Sequence, residues 1–385
     1  MKGVILVTKI KDIIKNLDKP LFLITLILFV LGLIMIFSAS NVTSYMNGGS
    51  PYAYFIRQGL FLIVSFIICI FIIKFNTKFY GIMSNALLIF MVTVLILLLI
   101  YGKSTNYAVS WIPIGPFTLQ PSEFIKVIMI VFMARFYEVH EKRLNNFFVA
   151  IIPLIIGIVI TFLIMLQPDL GTAIIFASLT GLIFFATPVS KKNKAKVIML
   201  FIGMAILVVA VLIMTGGNIL QARQLERFNF TRPCDRLLDT GNQVCNGYIA
   251  INNGGLTGIG LGNSTQKYLY LPYPYTDFIF AVIVEELGLI VGILIIVAYF
   301  YLLYRILKIG KNSYTNRGAL LCYGVAVYIF LHVIINLMGL FGLMPMTGVP
   351  LPFMSYGGSF TLCLMVALTI VQRVNIETKL REKNK

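Results

Sequence analysis

Long apolar runs recur along the whole chain and constrain its fold more than any other feature. Of its 385 residues, 59% are hydrophobic and only 12% are charged, and about 20 apolar residues let a helix cross the hydrocarbon core of a bilayer. The sequence therefore predicts an all-α polytopic membrane protein, in which residues 1–385 form a single domain and 216–276 form one large extracytoplasmic loop. The ten expected spans are residues 21–39, 55–73, 79–100, 123–137, 147–166, 170–187, 197–215, 277–304, 318–341 and 359–374.

The net charge of +17 is explained by orientation in the membrane rather than by a nucleic-acid surface. Ten spans place both termini on one side, and 23 of the 31 Lys and Arg residues fall on that side. Basic residues of membrane proteins concentrate in cytoplasmic connections. We therefore expect both termini in the cytoplasm and no nucleic-acid partner.

Several polar motifs fall in or beside the predicted outer connections. A carboxylate at the boundary between water and lipid is costly, so it usually pairs, lines a cavity or takes part in chemistry. Because independent motifs converge on one side, we expect a functional site on the extracytoplasmic face. The motifs are Trp111 with Gln120-Pro121-Ser122-Glu123-Phe124-Ile125-Lys126, Gln167-Pro168-Asp169, Asp277 at the start of the eighth span, and residues 345–359 with Ser355 and Gly357.

Each motif also has a purely structural interpretation. Acids favour the first turn of a helix, so Glu123, Asp169 and Asp277 could serve as helix starts. Trp111 could anchor the chain at the membrane interface. The turn at residues 355–358 could need glycine only for its backbone conformation. From the sequence, both interpretations stay open.

Two adjacent acids in the eighth span, Glu285 and Glu286, need partners as well. At about 100° and 1.5 Å per residue they point to different sides of a helix, roughly 12–14 Å beyond Asp277. We expect at most one of them to serve a cavity at Asp277. The other should pair inside the bundle with a basic or backbone group.

The five cysteines fall into two groups. Cys69, Cys322 and Cys363 lie in predicted spans and are expected to be small packing residues. Cys234 and Cys245 lie in the outer loop, where an oxidising environment lets a disulfide persist. We predict a bridge between them, the alternative being two free thiols, and their spacing does not indicate zinc.

Together these motifs resemble the SEDS family (shape, elongation, division and sporulation), the group that includes FtsW and RodA. Residues 260–272 are similar to the FtsW division branch, whereas Tyr275 and Thr347 stand where many relatives have His and Lys. The resemblance covers nearly the whole chain: Gly32 to Ser40, the Trp111 and QPSE segments, QPDLGTA at 167–173, TDFIFAVIVEELG at 276–288 and LPFMSYGGS at 351–359.

The resemblance implies a peptidoglycan glycosyltransferase that polymerises lipid II, the undecaprenyl-diphosphate-linked disaccharide-pentapeptide. The site would lie on the outer face of the bacterial cytoplasmic membrane, at the division septum. Asp277 would be the catalytic base, and a divalent cation (Mg or Mn) or a basic side chain would stabilise the leaving pyrophosphate, with no organic cofactor. The substrate-binding candidates are Trp111, Glu123, Lys126, Arg227, Asp169, Ser355 and Gly357.

The family's partners and two alternatives complete these expectations. The resemblance implies a class B penicillin-binding protein, a transpeptidase, and other divisome proteins as partners. One alternative is a lipid II flippase, because Glu285 and Glu286 could line a polar path across the bundle. The other is a paralogue that serves elongation or sporulation. A non-catalytic scaffold would need none of these polar residues.

Overall fold

A computed structural model describes residues 8–46, 48–101, 110–114, 117–214, 233–235, 241–268 and 270–383. Within these residues the chain forms twelve α-helices and one two-stranded antiparallel hairpin. The helices are α1 Ile10–Asn16, α2 Lys19–Met46, α3 Ala53–Ile72, α4 Thr77–Tyr101, α5 Pro121–Val139, α6 Phe147–Met165, α7 Leu170–Ala186, α8 Lys191–Met214, α9 Gly241–Gly254, α10 Ile279–Lys311, α11 Asn316–Leu340 and α12 Gly358–Lys383; the strands are β1 Ile112–Ile114 and β2 Phe117–Leu119.

Each of the ten predicted spans coincides with one of these helices. Among the described residues, α2, α3, α4, α6, α10, α11 and α12 are long and apolar enough to cross a membrane. Helix α7 is apolar but has only 17 residues, and α5 carries four charged side chains. The side chains of α8 are described only as far as residue 203. The prediction of an all-α polytopic membrane protein is confirmed.

Burial separates the central helices from those that face lipid. In α11 and α12, 72% of the most apolar window is buried inside the protein, whereas the figure is 17% for α3 and 28% for α4. A helix that is apolar and covered on most sides belongs to a core. Helix α11 packs against α5, α7 and α10, so these helices form the centre of the bundle.

Helix α10 is interrupted at Gly288, whose backbone is not helical (φ 87°, ψ 164°). A Cβ at Gly288 would lie 2.3 Å from the carbonyl oxygen of Leu256, so only glycine fits both the conformation and the space. The segment 254–260 packs against the break, and the backbone N–H of Ile259 donates to the carbonyl of Glu285 at 3.0 Å. Irregular backbone is tolerated at membrane depth where protein groups satisfy it.

Glu285 and Glu286 stand just before this break, and both are paired. Glu286 accepts hydrogen bonds from the Lys267 ammonium at 2.8 Å and the Ser38 hydroxyl at 2.7 Å. Glu285 accepts one from the Thr265 hydroxyl at 2.9 Å. Neither acid lines the cleft at Asp277 described below. Both acids bind the segment that leads into the eighth predicted span.

The position of Ser38 indicates where these acids lie along the bundle. Ser38, in α2, lies 20 residues after Asp18, the residue that precedes this helix, and the Asp18 carboxylate pairs with Arg305 near the opposite end of the bundle. At 1.5 Å per residue that separation is about 30 Å, the thickness of the hydrocarbon core. Glu286 therefore lies near one boundary of the apolar layer. The depth of Glu285 and Glu286 relative to Asp277 stays a prediction.

Candidate functional site

Asp277 opens onto a small cleft at one end of the bundle. The cleft lies between the residues that precede α10, the last turns of α11 and the chain that follows α11. Asp277 is its one acidic residue among the described lining residues. These are Asp277, Phe278, Ile335, Asn336, Gly339, Leu340, Met346, Thr347, Gly348 and Val349.

The two carboxylate oxygens of Asp277 have different surroundings. The Thr276 hydroxyl donates to Oδ1 at 2.7 Å, whereas Oδ2 lies 4.0 Å from the position that a Cβ on Gly348 would take. The side chain does not cap α10, since Phe278 is the N-cap and has no side-chain cap bond. Burial raises the pKa of the Asp277 carboxyl, against the lowering effect of the Thr276 bond. A half-buried carboxylate with a raised pKa is suited to accept a proton.

Ser355 and Gly357 hold the segment beside Asp277 in place. The Ser355 hydroxyl accepts from the backbone N–H of Leu351 at 2.8 Å and donates to the carbonyl of Thr276 at 2.5 Å. The N–H of Gly357 donates to the Gln58 side chain at 3.2 Å. Neither residue lines the cleft, so the structure gives both a supporting position. Gly357 does not have the positive φ that would require glycine.

Glu123 and Lys126 form a buried ion pair behind the cleft. The Lys126 ammonium donates to Glu123 Oε1 at 2.8 Å and lies 3.1 Å from His332 Nε2. The other ring nitrogen of His332 lies 3.4 Å from the carbonyl oxygen of Pro350. Because the Lys126 side chain is fully buried, it cannot contact a pyrophosphate in this arrangement. In this arrangement the pair supports the chain around Pro350, and the role of Glu123 and Lys126 in substrate binding stays a prediction.

The remaining candidates differ in what they contact. Asp169 caps α7, since its Oδ1 accepts from the N–H of Thr172 at 3.1 Å, and its Oδ2 accepts from Gln120 at 2.9 Å. The helix-start interpretation of Asp169 is thus correct. Trp111 precedes β1 and is 41% exposed, so it stands at the surface. Arg227 lies outside the described residues.

Cys234 and Cys245 are joined in a disulfide with a Cα–Cα distance of 4.9 Å, as the sequence predicted. Cys245 lies on α9, and two residues later a Cβ on Gly247 would approach Leu340 at 3.0 Å and Phe278 at 3.2 Å. Leu340 and Phe278 both line the cleft. The bridge is therefore attached to the helix that backs one wall of the cleft.

No three His, Cys, Asp or Glu side chains gather as a metal site in the described parts of the chain. Asp277 alone among the described lining residues is a carboxylate. Mg²⁺ is usually held by one or two carboxylates together with substrate phosphates, so among the described lining residues only Asp277 would contribute a carboxylate to the expected cation. The divalent cation stays a prediction, and no step proposed below depends on it.

Asn336 is a site residue that the sequence motifs did not single out. It lines the cleft beside Asp277, and its amide donates to the carbonyl of Asp277 at 2.9 Å. The sequence does contain an indication of its role, since Asn336 is an amide within an apolar span. Polar side chains within spans usually bind a partner. His332 of the same helix carried a similar signal.

The fold and the site define an integral membrane protein in which Asp277 is the one acidic residue among the described residues that line a cleft at one end of the helical bundle. Residues 19–380 match the family model FTSW_RODA_SPOVE, described as "Cell cycle protein". The chain belongs to this family.

Individual relatives and solved structures agree with this assignment. The chain is 32% identical to "Probable peptidoglycan glycosyltransferase FtsW" of Bacillus subtilis, over 98% of this chain and 94% of the relative. It is 35% identical to "Stage V sporulation protein E" of the same organism, over 93% and 96%. A chain from a structure titled "Structural coordination of polymerization and crosslinking by a peptidoglycan synthase complex" aligns with TM-score 0.76 and 22% identity, over 94% and 98%. Thermus thermophilus RodA aligns with TM-score 0.65 and 22% identity, over 93% and 96%.

Proposed function

We propose that this chain is a peptidoglycan glycosyltransferase that polymerises lipid II on the outer face of the bacterial cytoplasmic membrane. The observation that carries the proposal is the Asp277 carboxylate, which is half-buried, has a raised pKa and opens on the cleft. The names of the relatives support the reaction class. Asp277 is the residue that would act as the base.

The proposed reaction needs one base and a good leaving group. The hydroxyl oxygen of the acceptor sugar forms a bond to the anomeric carbon of the donor, and its proton passes to Asp277. The bond between that carbon and the pyrophosphate oxygen breaks, and the electron pair leaves with the undecaprenyl pyrophosphate. A pyrophosphate leaves without protonation by a strong acid, so one carboxylate suffices, unlike the pair used in glycoside hydrolysis. A positioned base contributes about 100- to 10,000-fold to such a step.

The position of Asp277 along the bundle supports a site at the membrane boundary. Asn336, which bonds to Asp277, lies 19 residues along α11 from Arg317, or about 28 Å at 1.5 Å per residue. Arg317 and the basic connections gather at the opposite end, which the charge distribution assigns to the cytoplasm. Both termini would then be cytoplasmic, and Asp277 would face outward where lipid-linked substrates arrive.

A transpeptidase partner follows from the same proposal. The structure that aligns with TM-score 0.76 is titled as a complex that coordinates polymerization and crosslinking. A class B penicillin-binding protein would supply the crosslinking reaction, together with other divisome proteins at the septum. A sporulation role is the second candidate, because the chain is also 35% identical to "Stage V sporulation protein E".

The flippase alternative loses its main support. It depended on Glu285 and Glu286 as a polar path across the bundle. Glu286 is instead paired with Lys267 at a boundary of the apolar layer, and Glu285 binds Thr265 in the same segment. Acids that line a transport path would need to face an open route through the membrane.

The test is polymerisation of fluorescent lipid II by the purified full-length chain together with its transpeptidase partner. Asp277→Asn should remove the glycan ladders, because the amide cannot accept the proton, while the protein stays folded. Asp235→Asn changes an exposed carboxylate outside the cleft and should leave the ladders intact. Normal ladders from folded Asp277→Asn protein would exclude Asp277 as the base. Lipid flipping in vesicles without any glycan would favour the transporter.

A further inference from the structure

Asn336 has a side chain whose orientation is set by its neighbours. Its amide nitrogen donates to the carbonyl of Asp277 at 2.9 Å and to the carbonyl of Val349 at 2.8 Å. Both partners are acceptors, so the nitrogen must point to them and the oxygen must point away. The amide thereby connects the residue that carries the candidate base to the chain on the opposite wall of the cleft.

The oxygen of the same side chain has no such partner. Asn336 is only 5% exposed, and among the described residues no group donates a hydrogen bond to its buried Oδ1. A buried acceptor without a donor is unfavourable, and native proteins rarely keep one without a reason. Asn336 lines the cleft that Asp277 opens on, so a ligand that enters and widens this cleft comes next to the Asn336 amide.

The residues that line the cleft indicate which kind of ligand group could donate a hydrogen bond to Asn336 Oδ1. An amide oxygen accepts from O–H or N–H groups and does not bind a phosphate or a carboxylate. The other described polar side chains of the cleft wall are those of Asp277 and Thr347, and the rest of the lining is apolar or backbone. A sugar fits this set, since one hydroxyl can face the carboxylate while a neighbouring hydroxyl faces the amide.

We propose that Asn336 is a substrate-positioning residue whose Oδ1 accepts a hydrogen bond from an acceptor-sugar hydroxyl next to the one that attacks. This inference rests on the proposed function and adds the sugar contact that orients the attacking hydroxyl toward Asp277. A site built to bond a hydroxyl discriminates against a substrate that lacks it, because its own acceptor is then left unpaired.

The test combines changes in the substrate with changes in the protein, as in a double-mutant cycle. Equilibrium binding to the full-length chain in nanodiscs is measured for each combination. The probes are fluorescent lipid II and analogues in which each hydroxyl beside the attacking one is replaced by hydrogen in turn. For the wild type, one analogue should bind roughly 10- to 100-fold more weakly than lipid II. The Asn336→Leu variant should bind lipid II more weakly than the wild type does, by a similar factor. This variant should bind the weakly bound analogue as tightly as it binds lipid II.

Two control variants distinguish recognition of the sugar hydroxyl by Asn336 from a purely structural role of this residue. Thr347→Val changes another polar side chain of the same cleft and should keep the analogue's penalty. Asn336→Asp keeps acceptor oxygens but loses both donated bonds, so it should lower thermal stability and still keep the penalty. The proposal is overturned if the wild type binds every analogue as tightly as lipid II, or if folded Asn336→Leu retains the full penalty. If Asn336→Leu does not fold, loss of the penalty in Asn336→Asp overturns it as well.

This test measures binding only, whereas the proposed function is tested by polymerisation, so the two tests can fail independently. A protein that binds these lipids but forms no glycan would contradict the glycosyltransferase proposal. The coupling between Asn336 and the hydroxyl would still be measured in that protein.

Discussion

At the scale of single residues, two opposing effects act on the pKa of the Asp277 carboxyl. Thr276 donates to one oxygen, which stabilises the ionised form, while burial raises the pKa of the carboxyl. The second oxygen stays on the side of the cleft. A base is most effective when its pKa lies near the working pH, and these opposing effects are how this site sets it.

The pH dependence of polymerisation follows from that balance. The base must be ionised, so activity should rise as pH increases through the pKa of Asp277. Thr276→Val removes the bond that stabilises the carboxylate, so the pKa of Asp277 should rise further and the acidic limb of the profile should move to higher pH. Rates measured across the pH range would check this. Thr347→Val lines the same cleft without bonding to Asp277 and should leave the limb in place; an equal shift in both variants would contradict the assignment.

The ion pair of Glu123 and Lys126 shows that residues of a polar motif can be buried away from the cleft. Both residues belong to a motif that suggested substrate binding, yet the pair is buried and contacts His332 rather than the cleft. Removing one partner of a buried pair costs about 3–5 kcal/mol, since it leaves the other charge uncompensated. Loss of activity in variants at these positions would therefore not by itself indicate contact with substrate.

At the scale of secondary-structure elements, the break in α10 is the feature that shapes the site. Just before the break, Glu285 and Glu286 accept hydrogen bonds from Thr265 and Lys267. The backbone groups freed at the break bond to residues 255–260; for example, Leu289 N–H donates to the carbonyl of Gly255 at 2.9 Å. The helical residues 279–287 that follow Asp277 are thereby bonded to the segment 254–267.

Gly288→Ala should destabilise the protein by about 2 kcal/mol or more, because the residue has a positive φ and its Cβ would overlap Leu256. Gly181→Ala is the matched control, since this glycine lies inside α7 with nothing within 4 Å of the added atom. The control should leave the free energy of unfolding unchanged or raise it by up to about 1 kcal/mol. Unfolding in detergent measures both. Equal stability of the two variants would mean that the break does not need glycine.

At the scale of the whole molecule, the distances along the helices agree with a single apolar layer. Ser38 on α2 and Asp18, the residue that precedes this helix, are about 30 Å apart by helical rise, and Asn336 and Arg317 on α11 are about 28 Å apart. The charged groups Asp18, Arg305 and Arg317 gather toward one end, and the cleft opens toward the other. The layer matches the hydrocarbon thickness of a bilayer.

The orientation of this layer is tested by cysteine labelling on intact cells. A membrane-impermeant thiol reagent should label Thr257→Cys, which is exposed in the segment that packs against Gly288, and should not label Lys192→Cys, which is exposed in the first turn of α8. Lys192 is preferable to its neighbour Asn193, since Asn193 is buried and donates to the carbonyl of Asn145 at 3.0 Å. Native background should be low, as Cys69, Cys322 and Cys363 are buried. Labelling of Lys192→Cys from outside would reverse the proposed topology.

The sequence by itself determined the ten apolar helices and their approximate bounds, but not the two shorter helices α1 and α9. Each predicted span coincides with a helix, because a run of apolar residues satisfies its backbone bonds within itself and needs no distant partner to form. It also determined the Cys234–Cys245 bridge, which joins residues only 11 positions apart. Asp277 was recognisable because a lone acid at the edge of an apolar span is costly to keep.

The tertiary structure alone decided which polar groups face the cleft and which are buried behind it. Lys126 turned out to contact His332, 206 positions away, and Glu286 to contact Ser38, 248 positions away. The two donated bonds of Asn336 likewise join three separate stretches of chain. A buried polar group is stable only with the partner that the packed bundle brings to it, and no local pattern in the sequence names that partner.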